Sequence, residues 1–428
     1  MLKRLLVVSY CFPPLRVAEA EQTARTVREL ATLGWKMTVL TIQPRSTTER
    51  YCADPSPALP DSVKIVRAAS PERLLFGWIK IRAAERLARH GLQFLGLPEK
   101  QFVWFPKAVQ AGNAILAAER FTAIYSRACY HTSNVVGLAL HRATGLPLVA
   151  HFSDPWIGNP YHKLWPLQKI ACMRLERSVI SRAALVIFVT RQAAEKVMAR
   201  YPAAWRSKVA VIPHGYDLHQ PIPPDATQQP VGRLRLVHTG SFYSRRTPVN
   251  LLLALQKLAR AECLPGILEV SLIGPGALEY RSMVRQLGLE DLVLLRGPQT
   301  RLECLRATSS ADVLLLLASS AEDESLFLPS KLVDYAALRK PILGLTPRQG
   351  ASADLLRRLQ CPVVPPDDIA AIADSIAATI HRWRAGTLSV GPAFETVARE
   401  YSIRTTTAKL DSYLTEAAVG EMPAYSHQ

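Results

Sequence analysis

Along this chain, short apolar runs alternate with longer stretches in which apolar residues recur every three or four positions. The runs Leu5–Ser9, Lys36–Thr41, Val63–Val66, Ala123–Ser126, Pro147–His151, Leu185–Thr190 and Val209–Ile212 have the length of strands buried on both faces. Between them, Glu19–Leu33, Lys107–Arg120, Ser133–Thr144, Trp165–Arg182 and Gln192–Arg200 carry a helical period. Such alternation predicts a parallel sheet with helices on both faces. Residues 218–232, LHQPIPPDATQQPVG, lack apolar periodicity and read as a linker. A second alternation starts at Leu234–Thr239. It runs through Val249–Ala261, Leu268–Ile273, Tyr280–Leu287, Val293–Arg296, Arg301–Thr308 and Val313–Leu317, and Ala370–Arg384 and Pro392–Leu414 read as closing helices. The fold class is therefore α/β, with two doubly wound, Rossmann-like domains at residues 1–217 and 233–390, and a closing helix and tail at 391–428.

The stretch from Ala311 to Leu343 is the richest in chemistry. A buried-type strand, Val313–Leu317, leads into an acidic loop, Glu322, Asp323 and Glu324. Leu-Pro-Ser-Lys follows, with Ser330 placed to N-cap a helix from about Lys331. A helix start offers backbone N–H groups and the positive end of a dipole. With a hydroxyl and an ammonium added, the combination suits a diphosphate. Asp334, one turn further on, is placed to accept hydrogen bonds from sugar hydroxyls. A second apolar strand, Pro341–Leu345, completes a βαβ unit. The plain alternative is a capped helix with a solvated Lys331.

Charge changes the picture in one half only. Residues 1–217 hold 30 Lys and Arg against 14 Asp and Glu, and residues 218–428 hold 22 against 21, so nearly all of the net +17 lies in the first half. An anionic surface or ligand facing that half is one reading, and simple solubility the other. Residues 72–95, ERLLFGWIKIRAAERLARHGLQFL, add a candidate membrane-surface helix. Its stripe is Leu75, Phe76, Ile79, Ala83 and Leu87, flanked by Arg82, Arg86 and Arg89, with Trp78 beside it. Packing of that stripe on the sheet is the alternative. Seven scattered cysteines with no C-x-x-C fit a reducing cytosol. No signal peptide and no apolar run of about 18 residues is evident, so the expected location is cytoplasmic, peripheral on the inner face of a membrane. No nucleic-acid-binding signature accompanies the charge.

PSKLVDY, at 329–335, resembles the donor-binding segment of retaining glycosyltransferases of the GT-B fold, family 4-like. The likeness extends to VVSYCFPP at the first strand, to SRACYHTS at 126–133 and to Gly145-Leu-Pro followed by Asp154-Pro-Trp156. VIPHGYD at 211–217 and HTGSFYSRRTP at 238–248 complete it. The resemblance implies two Rossmann-like domains facing a central cleft and a nucleotide-diphosphate sugar as donor. It also implies a saccharide or lipid-linked acceptor, and neither cofactor nor metal. Arg246 and Lys331 would converge on the leaving diphosphate, with Arg245 the alternative to Arg246. Gly240 would permit close approach of the donor, and Ser330 and Asp334 would bind it. One of Glu322 and Glu324 would face the sugar. His131 is a candidate for the donor sugar or the acceptor hydroxyl. Asp154 would bind the acceptor, or cap the turn before Pro155. The sequence departs from the family after Phe12-Pro-Pro14, where Leu15-Arg-Val-Ala-Glu19 holds none of the usual glycines.

The reading is a retaining, metal-independent hexosyltransferase. Its rivals are a GT-B sugar-nucleotide epimerase and a non-catalytic GT-B assembly partner.

Overall fold

Side chains of consecutive strand residues point to opposite faces of a sheet, and the first strand shows this directly. In a computed structural model of the chain, Leu5 and Val7 join one buried cluster and Leu6 and Val8 another. The structure describes residues 2–51, 59–77, 96–217, 232–243, 245–261, 264, 266–319 and 322–420, the side chains of Glu322 and Asp323 excepted. Two compact units result: residues 1–215 with 403–428, and residues 216–402.

The first unit is a parallel sheet of β1 (Arg4–Val8), β2 (Lys36–Ile42), β3 (Val63–Ala68), β4 (Ala123–Ala128), β5 (Leu148–Phe152), β6 (Leu185–Phe188) and β7 (Val209–Val211). Their spatial order is β3-β2-β1-β4-β5-β6-β7. The order reverses between β1 and β4, and at such a switch point the loops leaving the carboxyl ends of the strands open a crevice. The helix Ala18–Thr32 covers one face, joined there by the helix Ile403–Val419. Leu410, Leu414 and Ala417 bury against Val27, Leu30 and Trp35, and Asp411 accepts hydrogen bonds from Lys3 Nζ at 2.8 Å and Trp35 Nε1 at 2.6 Å.

The second unit holds β8 (Leu234–Thr239), β9 (Leu268–Ile273), β10 (Val293–Arg296), β11 (Val313–Leu317), β12 (Ile342–Leu345) and β13 (Val363–Val364), ordered β10-β9-β8-β11-β12-β13 and parallel throughout. The switch point here lies between β8 and β11. Leu234, Leu236, Leu272, Val313, Leu315, Leu317, Leu343 and Leu345 form the core of one face, closed by helices Val249–Ala261 and Ile369–Arg384.

Three expectations change. The single closing helix expected over Pro392–Leu414 is two helices, Ala393–Glu400 and Ile403–Val419, broken at Tyr401–Ser402. The first packs on the second unit and the other returns to the first, so the expected closing segment 391–428 divides at residue 403. The strand β13 and the helix Ala351–Arg358 were not foreseen. The proposed linker lies outside the described residues from 218 to 231, as does most of the candidate membrane helix, from 78 to 95.

Candidate active site

The switch point of the second unit gathers the cationic groups. The loop leaving β8 carries Gly240 and Arg246, and the helix Ser330–Ala337 follows β11. Lys331, half-buried at the start of that helix, places Nζ 3.5 Å from His238 Nε2. His238 Nδ1 lies 2.9 Å from Leu315 O, so it carries the proton and Nε2 is left to accept from Lys331. Burial is the main cause that brings the Lys331 ammonium down to about 7, and the nearby Arg246 adds to it, with Glu324 opposing. Burial and Lys331 together hold His238 neutral.

Arg246 Nη2 donates to Glu324 Oε1 at 2.6 Å, and its guanidinium lies 5.3 Å from the centre of the Tyr243 ring. Backbone bonds exchanged between Tyr243 and Arg246, at 2.9 and 3.2 Å, turn the loop back and aim Arg246 inward, while Arg245 is exposed. Glu324 is buried in the 3-10 turn Glu322–Leu326 against this arginine. Its carboxylate holds Arg246. Glu322 opens the same turn, and its side chain lies outside the described residues.

The glycines are explained by contact. Gly240 has φ +150°, and a Cβ there would stand 1.9 Å from Lys331 Nζ. Gly274 supports it from below: its φ is +142°, and a Cβ would meet Gly240 O at 2.2 Å. Gly240 N donates to Ile273 O at 2.8 Å and Phe242 N to Pro275 O at 2.8 Å, so the Gly274-Pro-Gly276 turn is a backing for the β8 loop. Tyr335 ties the helix to the same loop, its hydroxyl accepting from Thr239 N at 3.0 Å. Ser330 is the first residue of the helix, and the capping position is Pro329, with no side-chain cap. The expected N-cap role of Ser330 is thus corrected: proline's fixed φ sets the entry of the chain. Asp334 is half-buried one turn on.

In the first unit, the loops leaving β1, β4 and β5 converge. His131 is 3% exposed, and its ring stacks on Trp156 at 4.7 Å and 9°. Burial pushes its imidazole down to about 3, assisted by His162, so it is neutral at ordinary pH. Asp154 is half-buried, and its charge reaches the Cys129 thiol, which is in hydrogen-bonding contact with Cys11. The helix Thr132–Thr144 begins here, and the chain supplies its own anion: Glu99 Oε1 accepts from Thr132 N and from Thr132 Oγ1, both at 2.6 Å. Backbone bonding from His131 adds to this, while burial raises the Glu99 carboxyl. The glycine-free loop is filled too. Glu19 is buried in an ion pair with Arg127 and accepts from Ser153 Oγ at 2.8 Å.

His238, Tyr335 and Glu99 belong to this picture although the sequence reading assigned them no role. His238 and Tyr335 stand inside the quoted motifs, which was the available signal. Glu99 has no local signal, because the helix it caps begins 33 residues later. Among the described residues, no three His, Cys, Asp or Glu side chains group as metal ligands do.

The family described as "Glycosyl transferase 4-like domain" matches residues 19–215. That segment of the first unit is thus similar to a glycosyl transferase 4-like domain. Sucrose-phosphate synthase from Thermosynechococcus elongatus is similar over 98% of this chain and 100% of its own, at 16% identity and a TM-score of 0.72. Anabaena HepE, solved in complex with UDP-glucose, is similar over 96% and 99%, at 15% identity and 0.64. WaaG, a glycosyltransferase of lipopolysaccharide biosynthesis, is similar over 96% and 99%, at 12% identity and 0.60. No curated protein matches the chain. The likeness to these solved structures shows the GT-B fold.

Proposed function

We propose that the protein is a family 4-like glycosyltransferase that moves a hexose from a nucleotide-diphosphate sugar to a saccharide or lipid-linked acceptor, with retention and without a metal. The observation that carries this reading is the pair Lys331 and Arg246 at the switch point of the second unit, beside a helix start and a loop thinned by Gly240. That HepE was solved with UDP-glucose supports the donor class. In the reaction the bond from the anomeric carbon to the diphosphate breaks and negative charge grows on the leaving oxygen. Lys331 and Arg246 meet that charge. The acceptor hydroxyl forms the new bond on the same face, and its proton passes to the departing phosphate. Glu324 holds Arg246 in place, and Asp334 binds donor hydroxyls. In the first unit, neutral His131 offers hydrogen bonding without competing as an acid, and Asp154 binds the acceptor.

A screen of nucleotide sugars by thermal stabilisation tests the donor. One or more should raise Tm, and turnover with that donor should survive EDTA. Absence of stabilisation by every nucleotide sugar refutes the reading, and strict recovery by Mg²⁺ or Mn²⁺ refutes metal independence.

A specific surface supports action at the cytoplasmic face of a membrane. No described helix is long and apolar enough to cross one. On the helix Pro166–Arg182 and the residues before it, Trp165, Leu167, Ile170 and Met173 are 41, 58, 46 and 43% exposed. Lys163, Lys169, Arg174 and Arg177 are exposed among them, and the only acid of the helix, Glu176, is buried. Apolar anchors ringed by bases suit an anionic bilayer, either alone or together with residues 72–95. The protein should sediment with anionic vesicles at low salt and be released at high salt. Failure to bind at low salt sinks the membrane reading alone.

A further inference from the structure

The loops leaving β1 and β4 hold two cysteines against each other. In the pairing of these strands Val8 faces Ser126, and three residues further along each chain stand Cys11 and Cys129. Neighbouring strands lie about 4.8 Å apart, within the roughly 4.4–6.8 Å that separates the Cα atoms of bonded cysteines. Contact agrees with this count. Cys11 is buried in the core of the first unit, and Cys129 packs half-buried against that core. Both are free thiols, in hydrogen-bonding contact with each other. Ser9 Oγ donates to Cys11 O at 2.9 Å, and Tyr10 N donates to Ser133 Oγ at 2.9 Å. The first loop is thereby folded back on itself and tied to the helix that follows the second.

The surroundings keep both thiols protonated at rest and decide which sulfur reacts first. Burial is the main cause that raises the Cys11 thiol, and its bond to Cys129 adds to this. The same bond lowers the Cys129 thiol, but burial and the charges of Glu19, Asp154 and Glu99 outweigh it, so Cys129 is raised as well. The thiolate is the reactive form, so the pair reacts slowly near neutral pH and faster as pH rises. Cys129 is the sulfur whose thiolate its partner stabilises, and it is also the one that reaches solvent. It is therefore the attacking sulfur, and buried Cys11 the resolving one.

We propose that Cys11 and Cys129 form a reversible disulfide site, closed by a disulfide oxidant of the glutathione class and opened by a thiol reductant. The Cys129 thiolate attacks one sulfur of oxidised glutathione, and one glutathione leaves as its thiolate. Cys11 then gives up its proton and attacks the Cys129 sulfur. The protein disulfide forms, and the second glutathione leaves. Two protein thiols are oxidised, and one glutathione disulfide is reduced to two thiols. Closure draws the sulfurs from contact to a bond of about 2.05 Å. Cys129 lies two residues before His131, so the His131 loop is pulled toward the loop of the first strand. A displacement on the order of 1 Å at a reacting site can cost about a hundredfold in rate, so the oxidised protein is the slow form. This effect on turnover rests on the glycosyltransferase reading above, whereas the disulfide itself does not.

The test treats the native full chain with oxidised glutathione and maps its peptides without reduction. Peptides holding Cys11 and Cys129 should be joined, and dithiothreitol should separate them. Closure should raise Tm and slow hydrogen exchange over residues 129–134, and it should proceed faster at higher pH. With a nucleotide sugar that the reduced protein uses, turnover should fall roughly tenfold or more on oxidation and return on reduction. Donor affinity should not change, because the cross-link lies wholly in the first unit. Cys129→Ser should keep its turnover in oxidised glutathione. Circular dichroism checks the fold of that variant, and the peptide map of the wild-type chain stands without it. A glutathione adduct on Cys129 with no cross-link, a cross-link to a different cysteine, or no reaction at all overturns the proposal. Closure that leaves turnover unchanged overturns the link to activity. If the reduced protein uses no nucleotide sugar, the transferase reading falls, and the joined peptides with slower exchange still decide the site.

Discussion

The two sheets of this protein share one strand order over six strands, the first adding a seventh at its edge, yet their switch points have opposite contents. In the second unit the crevice between β8 and β11 is cationic, with Lys331, Arg246 and a loop thinned to glycine at Gly240. In the first, the crevice between β1 and β4 is filled from within. Glu99 sits on one helix start, Glu19 lies in the first turn of another, and His131 lies flat on Trp156. The same topology can hold an anion from outside or supply its own. Which occurs depends on whether carboxylates or cations and glycines occupy the loops.

If the second crevice is the donor site, its cations should dominate activity. Lys331→Ala and Arg246→Ala should each lower turnover on the order of a hundredfold while the protein stays folded. Steady-state kinetics with circular dichroism checks this. Near-normal rates in both variants would erase the contrast between the units.

Gly240→Ala comes next. The new Cβ would meet Lys331 Nζ at 1.9 Å, on a backbone with φ +150°. Strain of about 1–3 kcal/mol corresponds to roughly tenfold or more in donor affinity. Calorimetry should show that loss, with little change in acceptor affinity.

The pH dependence is smaller and has a definite sign. In the empty site Lys331 titrates at about 7, lowered chiefly by burial. A bound diphosphate favours the charged ammonium, so binding takes up a proton above that pH. Affinity for a nucleotide sugar should therefore fall as pH rises past about 7, by no more than tenfold per unit, and level off below it. Lys331→Arg keeps its charge and should flatten the curve. A wild-type affinity flat across this range would show that Lys331 does not face the donor.

On the first unit, Glu99→Ala should act on stability instead. It strips the carboxylate from Thr132 N–H and its hydroxyl, at a cost of about 1–2 kcal/mol. Thermal unfolding should record a lower Tm, with donor affinity unchanged. A loss of donor affinity would make the two crevices more alike than their contents suggest.

Most of the fold could be read from the chain because parallel strands are buried on both faces and so appear as apolar runs, Val313–Leu317 being the plainest. The strand β13, two residues long, is too short to leave such a run. The return of Ile403–Val419 to the first sheet could not be read either. A helical stripe shows that a helix buries a face, not which sheet receives it. The positions of Lys331 and Arg246 after their strands were legible, since loop position follows from strand order. The partnership of Arg246 with Glu324 joins residues 78 apart, and only the folded chain brings them together.

Ser330 marks the finest difference between local pattern and folded structure, and gives the smallest effect. The sequence places it as a cap, but the helix begins on it and Pro329 holds the capping position with no side-chain bond. A true serine cap replaced by alanine costs about 1 kcal/mol. Here Ser330→Ala should cost less than about 0.5 kcal/mol, as at positions outside such special features. What it removes is a hydroxyl at the helix start where the donor diphosphate is proposed to lie. A single neutral hydrogen bond contributes about 1 kcal/mol, a few-fold in affinity. Paired measurements of Tm and donor affinity separate the two roles. Unchanged Tm with weaker binding places the hydroxyl on the donor. A clear fall in Tm with unchanged binding would restore the serine as a cap and leave donor recognition to Lys331, Arg246 and the backbone of the second crevice.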